Sequence, residues 1–244
     1  MNKNKICHVV YSHTSYADVW PAYFSQTKKY FNEISDKAIF LNEKSDAVPA
    51  NYQQIIYRDK DFYVNRLISC LKQLKEQGFD LVFFEHEDMF LYDYPRFETL
   101  EKYIKAVGKG YFDIIRLIKG GNFVAEESII DPTLFELKLE SDWIFSIQPS
   151  IWNIDAILRI LKHHKGQNIW VFEAKSQKTC RKLKIKAAFS HGEGKQRGAL
   201  HFANDVYPYV ATAVVKGKWN LKEYPILEDI LRKNKIDKNI RGEF

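Results

Sequence analysis

The run Leu81-Val82-Phe83-Phe84 contains no polar residue and stops abruptly at Glu85-His86-Glu87-Asp88. A strand that is apolar without interruption must be covered on both faces, as the central members of parallel sheets are. Such a strand needs helices above and below it, and the neighbouring segments supply them. From Phe62 to Gln77, apolar side chains recur at Val64, Leu67, Ile68, Leu71 and Leu74, the spacing of one helix face, and Gly78 follows as a stop. A second periodic segment begins near Pro95, with Phe97, Leu100, Ile104 and Val107 on one side and Gly108 after it.

The same alternation runs through the first half of the chain. Ile6 to Tyr11 reads as a buried strand opening into the polar loop Ser12-His13-Thr14-Ser15. Val19 to Phe31 follows with a helical pattern, Lys37 to Leu41 reads as a short strand before a polar loop with Pro49, and Phe112 to Ile118 as another strand. Strand, helix, strand, helix, strand predicts an α/β fold with a mixed, mostly parallel sheet flanked by helices. The second half is less regular. Leu134 to Leu139 and Trp143 to Gln148 read as strands of a hairpin around Glu140-Ser141-Asp142. Asn153 caps a helix carrying Ile154, Ile157, Leu158 and Leu161 inward and ending at Gly166. Tyr209 to Val215 reads as a late strand and Leu221 to Lys235 as an amphipathic helix. With no repeat and no Pro/Gly/Ser linker, the expected organisation is a single domain over residues 1–244.

Bulk properties narrow the function classes. No segment approaches the roughly 20 apolar residues of a membrane span, so no span is expected, though peripheral contact stays open. The apolar run behind the basic N-terminus stops at Ser12, too short for a signal-peptide core, and a cytoplasmic protein is expected. Cys7, Cys70 and Cys180 are far apart and form no CxxC pattern, which points to buried free thiols. The formal net charge of +6 favours polyanionic or phosphorylated partners. Its densest stretch, Lys175 to Lys186, has the look of a solvated helix face.

The acidic strand end is the most informative motif. Three carboxylates within four residues repel and raise one another's pKa unless a cation or a donor intervenes. The carboxyl end of a parallel strand is where open α/β sheets bind ligands. Carboxylate oxygens suit Mg2+ or Mn2+, and a metal held there can bridge the phosphates of a nucleotide sugar. Strand alternation would put Glu85 and Glu87 on one side and Asp88 on the other unless the chain turns. Arg116, inside an apolar strand, has to meet one of these acids or a phosphate oxygen.

The order of several segments resembles small GT-A-like glycosyltransferases of bacterial and viral polysaccharide assembly. Those segments are the opening VVYSHTSYADVW, the strand with its acids FFEHEDMFL, IIRL, FSIQPSIWN, WVFE, VVKGKW and the terminal RG. The resemblance implies transfer of a sugar from a nucleotide-sugar donor to a hydroxyl of a saccharide or glycan acceptor, with no nucleic-acid partner. It places Ser12, His13 and Thr14 at the nucleoside, Glu87 and Asp88 at the donor diphosphate and any metal, and Gln148, Trp152 and Trp170 on the acceptor side. It makes Glu173 the general base, and a carboxylate beside Trp170 and Phe172 would have its pKa raised by desolvation. Lys216 and Lys218 would offer charge to the leaving diphosphate, and Arg241 has a similar, weaker claim. The motif reads Glu-His-Glu-Asp rather than Asp-x-Asp, which leaves metal dependence open.

Two other classes compete. A nucleic-acid binder would account for the charge and the aromatic content of 15%, but no recognised binding motif is present. A metal-dependent hydrolase or nuclease would combine Glu85, Glu87 and Asp88 with His163, His164, His191 or His201, whose spacing matches no ligand signature.

Overall fold

A computed structural model describes residues 4–120, 124–192, 194–197 and 201–244. In chain order the first half comprises β1 (Ile6–Tyr11), α1 (Trp20–Tyr30), β2 (Lys37–Leu41), β3 (Gln53–Ile56), α2 (Tyr63–Glu76), β4 (Leu81–His86), α3 (Phe97–Gly108) and β5 (Ile114–Arg116). The second half comprises β6 (Ala125–Glu127), β7 (Leu134–Leu137), β8 (Ser150–Asn153), α4 (Ile154–Lys162), α5 (Ile169–Lys182), β9 (Ala187–Ser190), β10 (Gln196–Arg197), β11 (His201–Phe202), β12 (Val214–Val215), β13 (Lys218–Trp219) and α6 (Ile226–Lys233).

Nine strands form one sheet in the order β3-β2-β1-β4-β8-β5-β9-β7-β6. The fold is α/β with a mixed sheet, but the sheet is not mostly parallel. β1–β2, β2–β3, β1–β4 and β5–β9 pair parallel, while β4–β8, β5–β8, β7–β9 and β6–β7 pair antiparallel. The cause lies in the connections. Parallel neighbours need a long crossover, and the first half supplies helices for it. β6 and β7 are joined by a short loop and can only run antiparallel.

The uninterrupted apolar run of β4 is explained by two packed layers. Leu81 and Phe83 point into one core with Trp20 and Tyr23 of α1, Leu100 and Tyr103 of α3 and Leu227 of α6. Val82 and Phe84 point into the other with Val64, Leu67 and Leu71 of α2, Ile157 and Leu161 of α4 and Phe172 of α5. The three cysteines are buried thiols, each pushed up to about 12 by burial. No described helix is long and apolar enough to cross a membrane.

Three local readings change. Trp143 to Gln148 forms no strand, because side chains of α5 take its backbone groups. Gln177 Oε1 accepts from Phe145 N at 3.2 Å, its Nε2 donates to Phe145 O at 2.7 Å, and Glu173 Oε1 accepts from Ile147 N at 2.7 Å. The strand lies just beyond, at β8, and Asn153 caps α4 directly after it. Of Tyr209 to Val215 only β12 is a strand, because Val210 N and Ala213 N donate to Phe90 O and Asp88 O of the segment after β4. β3 and β9 lie in stretches whose sequence did not distinguish them from loop.

Glu85 anchors β4 from within. Its carboxylate is fully buried, with Tyr23 Oη donating to Oε1 at 2.5 Å and Tyr207 Oη donating to Oε2 at 2.8 Å. His8 Nε2 of β1 lies 2.8 Å from Oε1. These contacts tie together β1, β4, α1 and the segment before β12. Tyr207→Phe, which removes the donor to Oε2, is expected to cost roughly 1–3 kcal/mol in urea denaturation, because a buried carboxyl oxygen loses its partner.

Candidate functional site

β1 leads to β2 and β3 on one side, and the chain then returns to place β4 on the other side of β1. In open α/β sheets the crevice at such a switch point, beyond the carboxyl ends of the strands, is the usual ligand site. Here a cavity of about 570 Å³ opens at that edge. Tyr11, Ser12 and His13 enter it from β1 and the loop beyond, Glu87 and Asp88 from the end of β4, and Arg116 from the end of β5. The opposite wall is Trp143 with Ser146, Ile147 and Gln148 ahead of β8, and Ile169, Trp170 and Glu173 from α5.

The chain turns immediately after β4, closed by Met89 N donating to His86 O at 3.1 Å. The turn overrides strand alternation. Glu85 stays in the core while Glu87 and Asp88 both face the cavity. Glu87 is 6% exposed, and its Oε2 has no hydrogen-bond partner among the described residues. Burial, then the neighbouring Asp88 charge, push its carboxyl well above the usual range. Asp88 is half-buried, and burial raises it to about 6 even though Val214 N donates to its Oδ2 at 3.4 Å. A pair held against its own charge in this way fits a hard cation. Mg2+ is commonly bound by one or two carboxylates together with substrate phosphates. Among the described residues no group of three or more His, Cys, Asp and Glu side chains is arranged to hold a metal ion by itself. The ligand set proposed for a hydrolase is therefore not assembled among them. Of its histidines only His201 reaches this cavity.

Around the acids the wall is prepared by hydrogen bonds. Ser12 is buried, its Oγ accepting from Trp20 Nε1 at 2.7 Å. His13 is held by Ser15, through Nδ1 at 2.8 Å from Oγ, and by Asp59, at 3.2 Å from Nε2. His86 packs behind the acids with Nε2 2.9 Å from Tyr63 Oη, and burial drops it to about 3, so it is neutral at pH 7. Arg116 is buried to 1% exposure, its Nη1 donating to Ser146 Oγ at 3.2 Å. Burial lowers it to about 10, so it stays charged at neutral pH. Glu173 is half-buried in the second turn of α5, whose N-cap Asn168 accepts from Val171 N at 2.9 Å. Burial raises its carboxyl, while the bond from Ile147 N and the Arg116 charge oppose the rise.

Of the residues singled out in the sequence, Ser12, His13, Glu87, Asp88, Arg116, Gln148, Trp170 and Glu173 share this one cavity. Five that the resemblance singled out do not line it. Trp152 is fully buried in the core, stacked on Phe84 with ring centroids 4.2 Å apart, because its position in β8 points it towards α2 and α4. Thr14 turns away to bond Asn42 and Glu43. Lys216 and Lys218 sit exposed on the β12–β13 hairpin, with Lys216 Nζ 5.8 Å from the Phe244 ring centre. Arg241 has the stronger position. It forks onto Asp18 at 2.6 and 2.7 Å, and its charge reaches Glu87 and Asp88 and favours their ionised forms.

Sequence reasoning missed Tyr11, Tyr16, Tyr63, Trp143 and Thr212 in the wall. Tyr11 was within reach, being the last residue of a strand whose loop was already singled out. Tyr63 and Thr212 carry no sequence signal that separates them from ordinary core or loop residues.

Comparison of the chain with protein-family models and with curated proteins gave no match.

The raised Asp88 has a definite consequence for stability. A carboxyl whose folded pKa lies above its unfolded value stabilises the fold only while protonated, and that contribution is lost as pH rises from about 4 through about 6. In urea denaturation with a chelator present, Asp88→Asn is expected to gain on wild type by roughly 1–3 kcal/mol between pH 4 and pH 7. A difference that does not vary with pH would contradict this reading of the site.

Proposed function

We propose that the chain is a glycosyltransferase that moves a sugar from a nucleotide-sugar donor to a hydroxyl of a saccharide acceptor. The observation that carries this is the gathering of a desolvated acid pair, a buried guanidinium and a half-buried carboxylate with an exposed tryptophan around one switch-point cavity. The GT-A-like resemblance assigned Glu87–Asp88, Glu173 and Trp170 to one site, the cost of burying its charge assigned Arg116 to those acids or to a phosphate, and the convergence of all five on one cavity supports the reading. A cavity of about 570 Å³ falls within the range of small-molecule sites.

In this reading the nucleoside lies by Ser12 and His13, stacked on the Tyr11 side of the cavity. The diphosphate lies between Arg116 and the Glu87–Asp88 turn. Mg2+ or Mn2+ held by Glu87 and Asp88 would neutralise charge on the diphosphate as it departs. Arg116 presents a fixed positive charge from a dry wall, where it acts more strongly than in water. The acceptor enters past Trp170 and Gln148. Glu173 accepts the proton of the acceptor hydroxyl as its oxygen bonds to the anomeric carbon. The bond from that carbon to the diphosphate oxygen breaks, and the electron pair leaves with the diphosphate. A single displacement of this kind inverts the anomeric centre. The raised pKa of Glu173 suits the role, because a base works best with a pKa near the working pH.

The test is turnover of a panel of nucleotide sugars, read as release of nucleoside diphosphate. Wild type is expected to turn over one donor class, and Glu173→Gln to lower kcat by about 10²–10⁴-fold with KM for the donor little changed. Turnover within a few-fold of wild type would remove Glu173 from the mechanism.

A further inference from the structure

Trp143 lies on two concavities. It closes one wall of the donor cavity and also lines an adjoining groove of about 730 Å³. The rest of that groove comes from the end of α4 and one face of α5, including His163, Lys175, Gln177, Lys178 and Arg181. Among the described residues Asp142 is the only acidic one in its wall, and Arg181 Nη2 donates to it at 3.1 Å. Lys175 and Lys178 are exposed, in no ion pair the structure records, and three residues apart, so they stand on one stripe of the helix. Trp143 has φ +56, a left-handed backbone that a bulky side chain rarely adopts, and it is 41% exposed. Trp170, at 74%, faces the same cavity mouth. Two exposed indoles therefore flank the passage from the donor cavity to a basic groove.

We propose that this groove holds the distal part of an acidic saccharide acceptor, one bearing carboxylates on its sugar rings. The assignment rests on the transferase reading and deepens it. Indole faces pack against the apolar faces of sugar rings, and the groove beyond them is positive. The form of that charge favours carboxylates spread along a chain over a single phosphate. Arg181, the one fork suited to bidentate phosphate capture, is already engaged by Leu139 O, Ser141 O and Asp142. Lys175 and Lys178 remain, as separate point charges along the groove.

The experiment measures binding of three labelled probes to the whole chain at low salt by fluorescence anisotropy. The probes are a uronate-containing tetrasaccharide, a neutral tetrasaccharide of equal length and a single-stranded oligonucleotide. A nucleoside diphosphate titration is run on the same samples. The uronate probe is expected to bind about ten-fold tighter than the neutral one, a difference of the size that a few partly exposed charges supply. The double charge reversal Lys175→Glu/Lys178→Glu should bring the two saccharides within about two-fold of each other, leaving nucleoside diphosphate affinity unchanged, because the charge term acts only in the groove. Both lysines are exposed on the helix surface, so the variant is expected to keep the wild-type melting temperature. Trp143→Ala should weaken both saccharides. Equal affinity for the two saccharides, indifference to the charge reversal, or tighter binding of the oligonucleotide than of the uronate probe would each overturn the assignment. Loss of diphosphate binding with the uronate preference intact would instead count against the transferase reading alone.

Discussion

Glu85 and Glu87 are two residues apart and almost equally buried, yet the fold treats their carboxyl groups in opposite ways. Glu85 has its demand met internally by Tyr23, Tyr207 and His8, and it fixes the strand that carries it. Glu87 has a buried oxygen with no partner among the described residues and a neighbour of the same charge. A buried charge left in that state is costly. Glu87 lies at a switch-point cavity, where in the proposed function a cation and a diphosphate would offset that cost.

The rest of the site follows from the sheet. β1, β4 and β5 end at the same edge, so the residues just past them converge without any contact between distant loops being needed. The antiparallel β8 enters from that edge, which brings Ser146, Ile147 and Gln148 to the opposite wall. Gln177 and Glu173, one helical turn apart on α5, bind the backbone of that segment. Glu173 therefore both supports the wall and lines it. One wall of the cavity is built from a helix and the irregular segment it clamps, and the other from strand ends.

Much of this was legible in the sequence because it depends on local periodicity. β1, β2, α1, α2, β4 and α3 have strong apolar patterns, and the structure places them close to the expected boundaries. The acidic strand end could be read because three carboxylates after a buried run have few explanations. Other features escaped for identifiable reasons. Trp143 to Gln148 has the apolar content of a strand, but its backbone partners are side chains 26 and 32 residues further along, which no local pattern reveals. Trp152 sits in an SxQ…W stretch beside the cavity, yet alternation in β8 turns it to the core, and without the register of β8 that direction could not be assigned. Arg241 reaches the acidic pair only because the C-terminal segment pairs back on Trp219.

In the proposed function a cation and a diphosphate complete the charge site that Glu87 and Asp88 form. Calorimetric titration of a nucleoside diphosphate, with and without Mn2+, into wild type and Glu87→Gln measures that completion. Micromolar binding to wild type that strengthens with Mn2+, and loss of that strengthening in the variant, are the expected results. Binding of equal strength in both proteins, indifferent to Mn2+, or no binding at millimolar concentration, would contradict it.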